Sequence, residues 1–442
     1  MYRPAFQDAD DFFGSRENRV ASVKLRCNEP LTESKLPLPH PQRAALFLLS
    51  FLIAVQGMAA ARSQAPAPES LAYRPHDPLN LTAFNHFYNL DYDRAVQEFE
   101  QVLARHPDDP FAVNHLLTAV LFRELYRMGV LDTGEYASDS FIAAPHRPAD
   151  SKVKQQIKDL VERALQLEEK RLSANPQDVE ALYARGVTRA QFSTYTALVE
   201  RAWFSALRNA VGARRDHERV LGLAPATVEA KLIVGAHNYV VGSLPWGVKA
   251  AASMIGLGGN KEKGIQYLKE CAQGSGETSV DAQILLVVFL RREHRYDEAL
   301  PIVRGLIPRY PQDVLLALEE GHLLRAAGQI QEAVAVYRKI WQSGREGHYP
   351  GLHYEIAPLS LGDLLRSQKD YSGAAAAYEQ VSQAPQPDPE VLQKANLGAG
   401  EMYDVLQKRD LALAKYQVVV ASGANTPPAE TARKRMKEAY RE

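Results

Sequence analysis

Small residues and prolines repeat along this chain at a fixed spacing. A small residue is followed twelve positions later by proline in four places: Ala95/Pro107, Ala164/Pro176, Ala213/Pro225 and Ala299/Pro311. A small residue lets two antiparallel helices pack closely where they cross, and proline ends the second helix. The pattern therefore predicts a stack of helical hairpins, in which both kinds of residue are structural positions of the repeat.

The residue one turn after each small residue should fill the space between the two helices. It is Phe99 in the first case and Val303 in the last, but Glu168 and His217 stand there in the middle two. Leu167, one position earlier, is an alternative for filling the space in the second case. The sequence thus predicts a looser fit in the middle hairpins.

The spacing becomes regular from residue 287 onward. Successive crossing alanines are 34, 41 and 38 positions apart, and an apolar or aromatic residue follows each of them four positions later. The alanines are Ala299, Ala333, Ala374 and Ala412, the last three are followed by Tyr337, Tyr378 and Tyr416, and glycines precede them at Gly321, Gly362 and Gly400. Residues 287–442 therefore predict regular repeats, closed by a polar capping helix over 427–442 because one of its faces has no neighbour.

The preceding part, residues 78–286, predicts longer or additional helices. Its crossing residues are 69, 49 and 51 positions apart, up to Gly264. Residues 131–150 carry no helical period, and a connection of that length is often functional or disordered. Asp132, Glu135 and Asp139 in this stretch leave a cation site open, but a solvated loop is favoured because nothing fixes their geometry.

The strongest compositional break is the uncharged apolar run 44–61, which follows Arg43. It predicts a cleavable export signal, with a membrane anchor as the alternative because 18 uncharged residues approach the length that spans a bilayer. Residues 1–43 are too long and too charged for the start of a signal, so we interpret them as a disordered or mis-annotated extension. Residues 62–77, rich in Pro, Ala and Ser, predict a linker. We expect an exported bacterial protein, periplasmic or associated with the envelope.

Charge and motif content exclude several classes. The 52 Lys and Arg residues balance 53 Asp and Glu residues, so no nucleic-acid-binding surface is indicated. Cys27 and Cys271 form no CxxC pair, which argues against a zinc or disulfide scaffold. The sequence has no HExxH or GxSxG motif, and the glycine-rich stretch 256–261 lacks the GK[ST] ending of a phosphate loop. We predict no metal, no cofactor and no enzymatic activity.

Aligning the regular repeats on their alanines places three arginines at one equivalent position, which Asp404 breaks in the fourth repeat. By repeat geometry this position faces the concave groove, where a guanidinium can grip a carboxylate of an extended peptide. A solvated helix face is the simpler interpretation. The candidate partner-binding residues are Arg291, Arg292, His322, Arg325 and Arg366.

The segment 243–261 holds Trp246 and Lys249 among small apolar residues between two turns. These two residues are candidates for contact with lipid or a partner at the boundary of an amphipathic hairpin. Ordinary core packing is the simpler interpretation of this segment.

The hairpin pattern resembles the tetratricopeptide repeat, and residues 233–340 resemble one group of such proteins. That group is the tetratricopeptide-repeat-39 family, with its fungal inclusion-body-clearance relative and similar exported bacterial repeat proteins. The matching positions are Ser243, Leu244 and Pro245 in a first turn, Gly256, Gly258 and Gly259 in a second, and Gly264 at the start of the next helix. Asn260 and Lys261 stand where members of the family tend to have an acidic residue followed by a basic one, so the chain departs from the family pattern there. The resemblance covers roughly a quarter of the chain and implies a non-enzymatic adaptor without assigned catalytic residues.

The sequence as a whole predicts an all-α fold, a right-handed α-solenoid of six to eight tetratricopeptide-like hairpins with a polar C-terminal capping helix. The expected function is non-catalytic binding of a peptide or partner protein in the concave groove. The alternative is a protein that binds lipid or a membrane surface through residues 243–261. An enzyme with an unrecognised site is the weaker alternative.

Overall fold

The computed structural model describes residues 71–131, 148–244 and 258–442, together with Lys249. All of them belong to one unit of the chain, His40–Glu442. Within these ranges the regular secondary structure consists of α-helices and short 3-10 turns. The α-helices are α1 (Pro78–Tyr88), α2 (Tyr92–Arg105), α3 (Pro110–Arg127), α4 (Ser151–Ala174), α5 (Val179–Leu198), α6 (Trp203–Leu223), α7 (Lys231–Gly242), α8 (Lys261–Ala272), α9 (Glu277–Arg292), α10 (Tyr296–Leu306), α11 (Val314–Ala326), α12 (Ile330–Arg345), α13 (Ile356–Ser367), α14 (Tyr371–Gln380), α15 (Pro389–Val405), α16 (Arg409–Ser422) and α17 (Pro427–Lys437).

Consecutive helices pack in pairs, from α1 with α2 to α15 with α16. The described residues thus contain eight hairpins, which we number 1 to 8, and each hairpin also contacts the next. The first helices of neighbouring hairpins touch as well, as α11 touches α13 and α13 touches α15. This arrangement confirms the prediction of an all-α solenoid of helical hairpins.

The prolines of the repeat pattern lie in the turns that follow the second helices. Helices α2 and α4 end two residues before Pro107 and Pro176. Both prolines are exposed, as is Pro311 after α10, so they do not pack between helices as the alanines do. The proline rings act on the backbone alone, because they disfavour helical geometry at the preceding residue and supply no N–H to continue the helix.

The stretches after the prolines begin the next helices through aspartate caps. Asp109 accepts a hydrogen bond from the backbone N–H of Phe111 at 2.8 Å, and Asp178 accepts one from Ala181 at 3.0 Å. Asp313 accepts from Leu315 at 2.9 Å. Because a carboxylate there satisfies amides that have no partner inside the helix, each short connection both stops one helix and starts another.

The crossing residues lie where the two helices of a hairpin meet, and they have no exposed surface. They are Ala95, Ala164, Ala213, Ala299, Ala333, Ala374 and Ala412. In the last three hairpins the glycine of the first helix faces the tyrosine ring of the second. A Cβ atom on Gly321 would lie 2.5 Å from Tyr337 Cε1, and one on Gly400 would lie 2.6 Å from Tyr416 Cε1. Gly362 stands in the same relation to Tyr378. Glycine and tyrosine therefore act as one packing unit in hairpins 6, 7 and 8.

Glu168 and His217 occupy the buried position that apolar residues fill in the other hairpins. Thr188 donates its hydroxyl to Glu168 Oε1 at 2.6 Å, and burial raises the pKa of this carboxyl to about 8. The ring of His217 stacks on Tyr183 with centroids 4.7 Å apart, and burial lowers the pKa of His217 to about 4. Both side chains are therefore neutral near pH 7. Leu167 is only half-buried, so Glu168 rather than Leu167 fills the position.

Hairpin 4 is the tightest crossing, because α7 and α8 meet backbone to backbone. A Cβ on Gly264 would lie 2.5 Å from the backbone nitrogen of Tyr239 and 2.7 Å from the carbonyl oxygen of Gly235. A Cβ on Gly259 would lie 2.6 Å from the backbone nitrogen of Gly242. Glycine is the residue that permits such an approach, and this contact accounts for two of the glycines that carry the family resemblance.

Helix α9 is covered by the first hairpins as well as by its own neighbours. Tyr88 of α1 donates its hydroxyl to Asp281 Oδ1 at 2.8 Å, and the Tyr183 hydroxyl of α5 lies 3.3 Å from Thr278 Oγ1. Most residues of α9 are buried as a result. The surfaces of α1 and α5 that meet α9 are therefore occupied by the chain itself.

Two buried ionisable side chains, His115 of α3 and Glu277 of α9, face each other in the interior. His115 Nε2 lies 3.9 Å from Glu277 Oε1, and neither side chain has exposed surface. Burial lowers the pKa of His115 to about 3 and raises the pKa of Glu277 well above its usual range. The backbone N–H of Tyr73 donates to Glu277 Oε1 at 3.1 Å. Burial thus keeps both side chains uncharged where the first hairpins meet the fifth.

The helix predicted over residues 427–442 ends earlier, at Lys437. Ala429 and Ala432 are its buried residues. Glu438 is extended, with φ −134° and ψ 121°. Residues 438–442 leave the helix because the backbone N–H of Tyr440 donates to Asp404 Oδ2 at 2.8 Å instead of to a helical carbonyl.

Candidate peptide-binding face

Four equivalent positions lie near the ends of the first helices of hairpins 5 to 8. We call the surface that bears them the ladder face, and its positions are Arg291 on α9, Arg325 on α11, Arg366 on α13 and Asp404 on α15. Arg291 Nη1 lies 2.6 Å from Glu319 Oε2 of α11, and Arg366 Nη1 lies 2.8 Å from Glu401 Oε2 of α15. These two guanidinium groups each bind a carboxylate one hairpin further on. The ion pairs therefore join α9 to α11 and α13 to α15.

The predicted partner-binding residues differ in how much of each is accessible. Arg325 is exposed in the middle of the ladder face, whereas Arg292 is half-buried. The side chain of Arg291 is 10% exposed and that of His322 is 12% exposed. The ring of His322 lies 6.0 Å from the ring of Tyr337. Arg325 is thus the predicted residue that a partner can most readily reach.

Asp404, which breaks the arginine pattern in the sequence, is a hydrogen-bonding centre in the structure. Arg409 Nη1 donates to both of its carboxylate oxygens, at 2.8 and 2.9 Å. Tyr416 donates its hydroxyl at 2.8 Å, and the backbone N–H of Tyr440 donates at the same distance. The Asp404 side chain has no exposed surface. Position 404 therefore binds a backbone amide where the preceding ladder positions present guanidinium groups.

Tyr440 lies on the ladder face between two guanidinium groups. Arg366 Nη2 donates to its hydroxyl at 2.8 Å, and the Arg366 Cζ atom is 5.0 Å from the ring centroid. Arg435 Cζ is 4.7 Å from the same centroid. Cations over an aromatic face attract its negative quadrupole. Burial lowers the pKa of Arg366, but Glu401 and the Tyr440 hydroxyl outweigh burial, and the pKa of Arg366 is raised overall.

The chain on either side of Tyr440 is fastened at two further points. Arg409 Nη2 donates to the carbonyl oxygens of Arg435 and Met436, both at 2.8 Å. The Tyr371 hydroxyl donates to the Glu442 carboxylate. Residues 438–442, which we call the cis segment, therefore run along hairpins 7 and 8 over the third and fourth ladder positions.

Sequence reasoning identified three ladder positions but missed the cis segment, which contacts one of them through Tyr440. Tyr440 carried a signal, since it is the one aromatic residue of the polar stretch 427–442. The helical interpretation of that stretch concealed it. Arg435 and Arg409, which also hold the cis segment, lie outside the aligned position and could not be found from the repeat spacing.

A concave region lies between hairpins 1 and 2 and two later connections. It is a cleft of about 1110 Å³ whose lining includes Arg123, Glu124 and His353. Arg123 pairs with Asp93 at 3.0 Å, and Glu124 pairs with Arg127 at 2.7 Å. Its ionisable groups thus already have partners within the chain. The chain positions that form it are more than 200 residues apart, which is why the sequence did not reveal it.

Several predicted sites fall partly or wholly outside the described residues. Trp246 lies outside them, as do Asp132, Glu135, Asp139 and the run 44–61. Lys249 Nζ donates to the carbonyl oxygen of Gly242 at 3.3 Å. In residues 71–131, 148–244 and 258–442, no helix combines the length and apolarity needed to span a membrane. The same ranges contain no cluster of three His, Cys, Asp or Glu residues arranged to hold a metal ion.

The hairpins and their shared ladder face define an all-α repeat protein of the solenoid class. Sequence models of the tetratricopeptide repeat match residues 318–389 and residues 82–109. These two stretches are therefore tetratricopeptide repeats, and proteins built from such repeats generally act as non-catalytic scaffolds for protein partners.

Solved structures with similar architecture are distant in sequence. A tetratricopeptide repeat protein from Parabacteroides merdae is 15% identical, with a TM-score of 0.31 over 72% of this chain and 97% of that one. The APC/C hetero-tetramer Cut9–Hcn1 is 14% identical, with a TM-score of 0.42 over 82% and 56% of the two chains. The human IFIT1 dimer with m7Gppp-AAAA is 14% identical, with a TM-score of 0.37 over 90% and 86%. These three structures contribute nothing on the partner of this chain.

Proposed function

We propose that this protein is a non-catalytic scaffold that binds an extended peptide segment of a partner protein on the ladder face. The observation that carries the proposal is the continuity of that face. Arg291 and Arg366 each bridge to the first helix of the next hairpin, so the positions align along one surface. A stripe that offers both donors and acceptors suits the backbone and side chains of an extended peptide.

The closed packing of the other hairpins supports the same choice of surface. Tyr88 and Tyr183 bring α1 and α5 against α9, which fills the space that those helices would present to a partner. Hairpins 5 to 8 carry the ladder face, and Arg325 is exposed on it. The peptide would therefore contact Arg325, while Arg291 and Arg366 hold the helices in register.

Charge reversal at Arg325 tests the proposal and leaves the ion pairs of Arg291 and Arg366 in place. We expect dodecapeptides selected from a random phage-displayed library on the purified protein to bind Arg325→Glu about tenfold more weakly, equivalent to about 1.4 kcal/mol. Isothermal titration calorimetry with the selected synthetic peptides measures this.

Arg338→Glu is the matched control, because Arg338 is an exposed arginine on the second helix of the same hairpin. It should leave peptide affinity within about twofold. Equal affinities of the wild-type protein and Arg325→Glu, or failure to select any peptide, would contradict binding at this face.

We further propose that the protein works in the bacterial cell envelope, supported by the apolar run 44–61 and its small residues at the end. Cell fractionation is expected to place it outside the cytoplasm, and intact-mass measurement should give a start between residues 59 and 66. A protein that retains residues 1–61 would contradict cleavage. A cytoplasmic protein would contradict export.

A further inference from the structure

We propose that the cis segment, residues 438–442, is an intramolecular occupant of the peptide-binding face, and that a partner binds by displacing it with an aromatic residue of its own. This inference rests on the proposed function and adds two properties to it. The first is the chemistry of the partner, an extended peptide with an aromatic side chain at the position of Tyr440. The second is regulation, because the chain competes with its partner for the same surface.

The contacts of Tyr440 are those that an external peptide would make. Its backbone N–H binds Asp404, and its hydroxyl accepts from Arg366. These are the fourth and third ladder positions, so the segment is held by the equivalent sites of two successive repeats. The extended backbone at Glu438 suits this mode, since an extended chain presents its amides sideways to the helices beneath it.

The aromatic ring has a defined site. The guanidinium groups of Arg366 and Arg435 lie 5.0 and 4.7 Å from its centroid. The ring also packs against the hydrophobic cluster of hairpins 7 and 8, which includes Tyr378 and Met402. An aliphatic side chain would keep the apolar contact but lose both cation–π contacts and the hydrogen bond from Arg366. The site therefore selects an aromatic residue, and tyrosine most of all.

The segment is placed so that it can leave without unfolding the last helix. Tyr440 is only half-buried, and Arg441 and Glu442 are exposed. Helix α17 ends before the segment and is anchored by Ala429 and Ala432, neither of which has exposed surface. The hydrogen bonds of the cis segment described above join it to hairpins 7 and 8. Arg325 lies on hairpin 6, so a partner can bind Arg325 before it displaces the segment.

The expected competition is large enough to measure. A short flexible connection gives a cis segment an effective concentration on the order of 1 mM. A peptide with an intrinsic dissociation constant of about 100 µM would then bind about tenfold more weakly while the cis segment is in place. A substitution that weakens binding of the cis segment should reverse the tenfold loss of peptide affinity.

The test uses a fluorescent peptide with the sequence of residues 437–442, KEAYRE, added to the full chain. We expect it to bind the Tyr440→Ala chain about tenfold more tightly than the wild-type chain, measured by fluorescence anisotropy. The peptide KEAARE should not bind either chain measurably. Tyr440→Phe keeps the ring but loses the hydrogen bond, so it should give an intermediate affinity.

Tyr267→Ala is the matched control variant. The Tyr267 ring also lies beside two cations, with Lys231 Nζ at 5.8 Å and Lys263 Nζ at 5.3 Å from its centroid, but on α8. This variant should bind the peptide as weakly as the wild-type chain. Circular dichroism of the Tyr440 variants should match the wild type, because Tyr440 lies beyond helix α17.

The possible failures are distinguishable. Equal affinities of the wild-type and Tyr440→Ala chains, or no binding to either, would overturn the inference, while library peptides that depend on Arg325 would still uphold the proposed function. If KEAYRE does not bind Tyr440→Ala more tightly and library peptides do not depend on Arg325, both proposals are overturned. A wild-type dimer that Tyr440→Ala converts to a monomer in analytical ultracentrifugation would assign the segment to a second copy and overturn the intramolecular arrangement.

Discussion

Replacing Gly264 by alanine is expected to lower the free energy of unfolding by about 3 kcal/mol. The added Cβ would lie 2.5 Å from the backbone nitrogen of Tyr239 and 2.7 Å from the carbonyl oxygen of Gly235. Both atoms belong to the backbone of α7, so no side chain can rotate away and the two helices must separate. Separation would also weaken the packing of Leu268, which has no exposed surface.

Gly305 provides the control for this substitution. It lies in helix α10, and a Cβ there would meet no atom within 4 Å. Gly305→Ala should therefore raise the free energy of unfolding by about 0.5–1 kcal/mol, because alanine loses less conformational entropy in a helix. Urea unfolding followed by circular dichroism measures both variants. Similar midpoints for the two would contradict the backbone contact between α7 and α8.

Replacing Glu168 by glutamine is expected to stabilise the protein relative to the wild type, and to do so much more at pH 8 than at pH 5. Burial raises the pKa of Glu168 to about 8 in the folded state, whereas the unfolded value is about 4.5. The stability that comes from the protonated carboxyl is complete below pH 4.5 and is lost as the pH rises toward 8. The loss is about 1.4 kcal/mol per pH unit within this window. Glutamine stays neutral and keeps an oxygen for Thr188, so it avoids the loss.

The measurement compares urea unfolding of Glu168→Gln and wild type from pH 5 to pH 8. The difference in stability should grow by about 4 kcal/mol in favour of the variant. His217, whose lowered pKa costs stability only below about pH 6.5, is present in both proteins and cancels from the difference. Glu162→Gln on the same helix is the control, because Glu162 is exposed. A difference that does not change with pH would show that Glu168 is ionised in the folded protein.

The glycine–tyrosine packing in hairpins 6 to 8 was within reach of sequence reasoning. Gly321 and Tyr337 stand at fixed distances from Ala333, and helix geometry alone brings such positions together in a hairpin. The same reasoning placed Gly264 at the crossing of hairpin 4. It failed at Glu168, because a spacing rule describes a position and not the protonation state that makes a carboxyl acceptable there.

Sequence reasoning also recovered only part of the ladder face. The repeat length placed Arg291, Arg325 and Arg366 at one position, but it could not show that Glu319 and Glu401 already bind two of them. Each of those ion pairs joins residues 28 or 35 positions apart on different hairpins. Their formation depends on the angle between successive hairpins, which the spacing does not encode.

The sequence by itself determined the hairpins, their crossing residues and the helix starts, because these depend on contacts within a few dozen residues. Only the tertiary structure decided that α9 is enclosed by the first hairpins and that Tyr440 lies on Arg366 and Asp404. Those contacts join residues 193, 74 and 36 positions apart. They arise from the accumulated rotation of successive hairpins, to which every intervening hairpin contributes, so no local pattern can specify them.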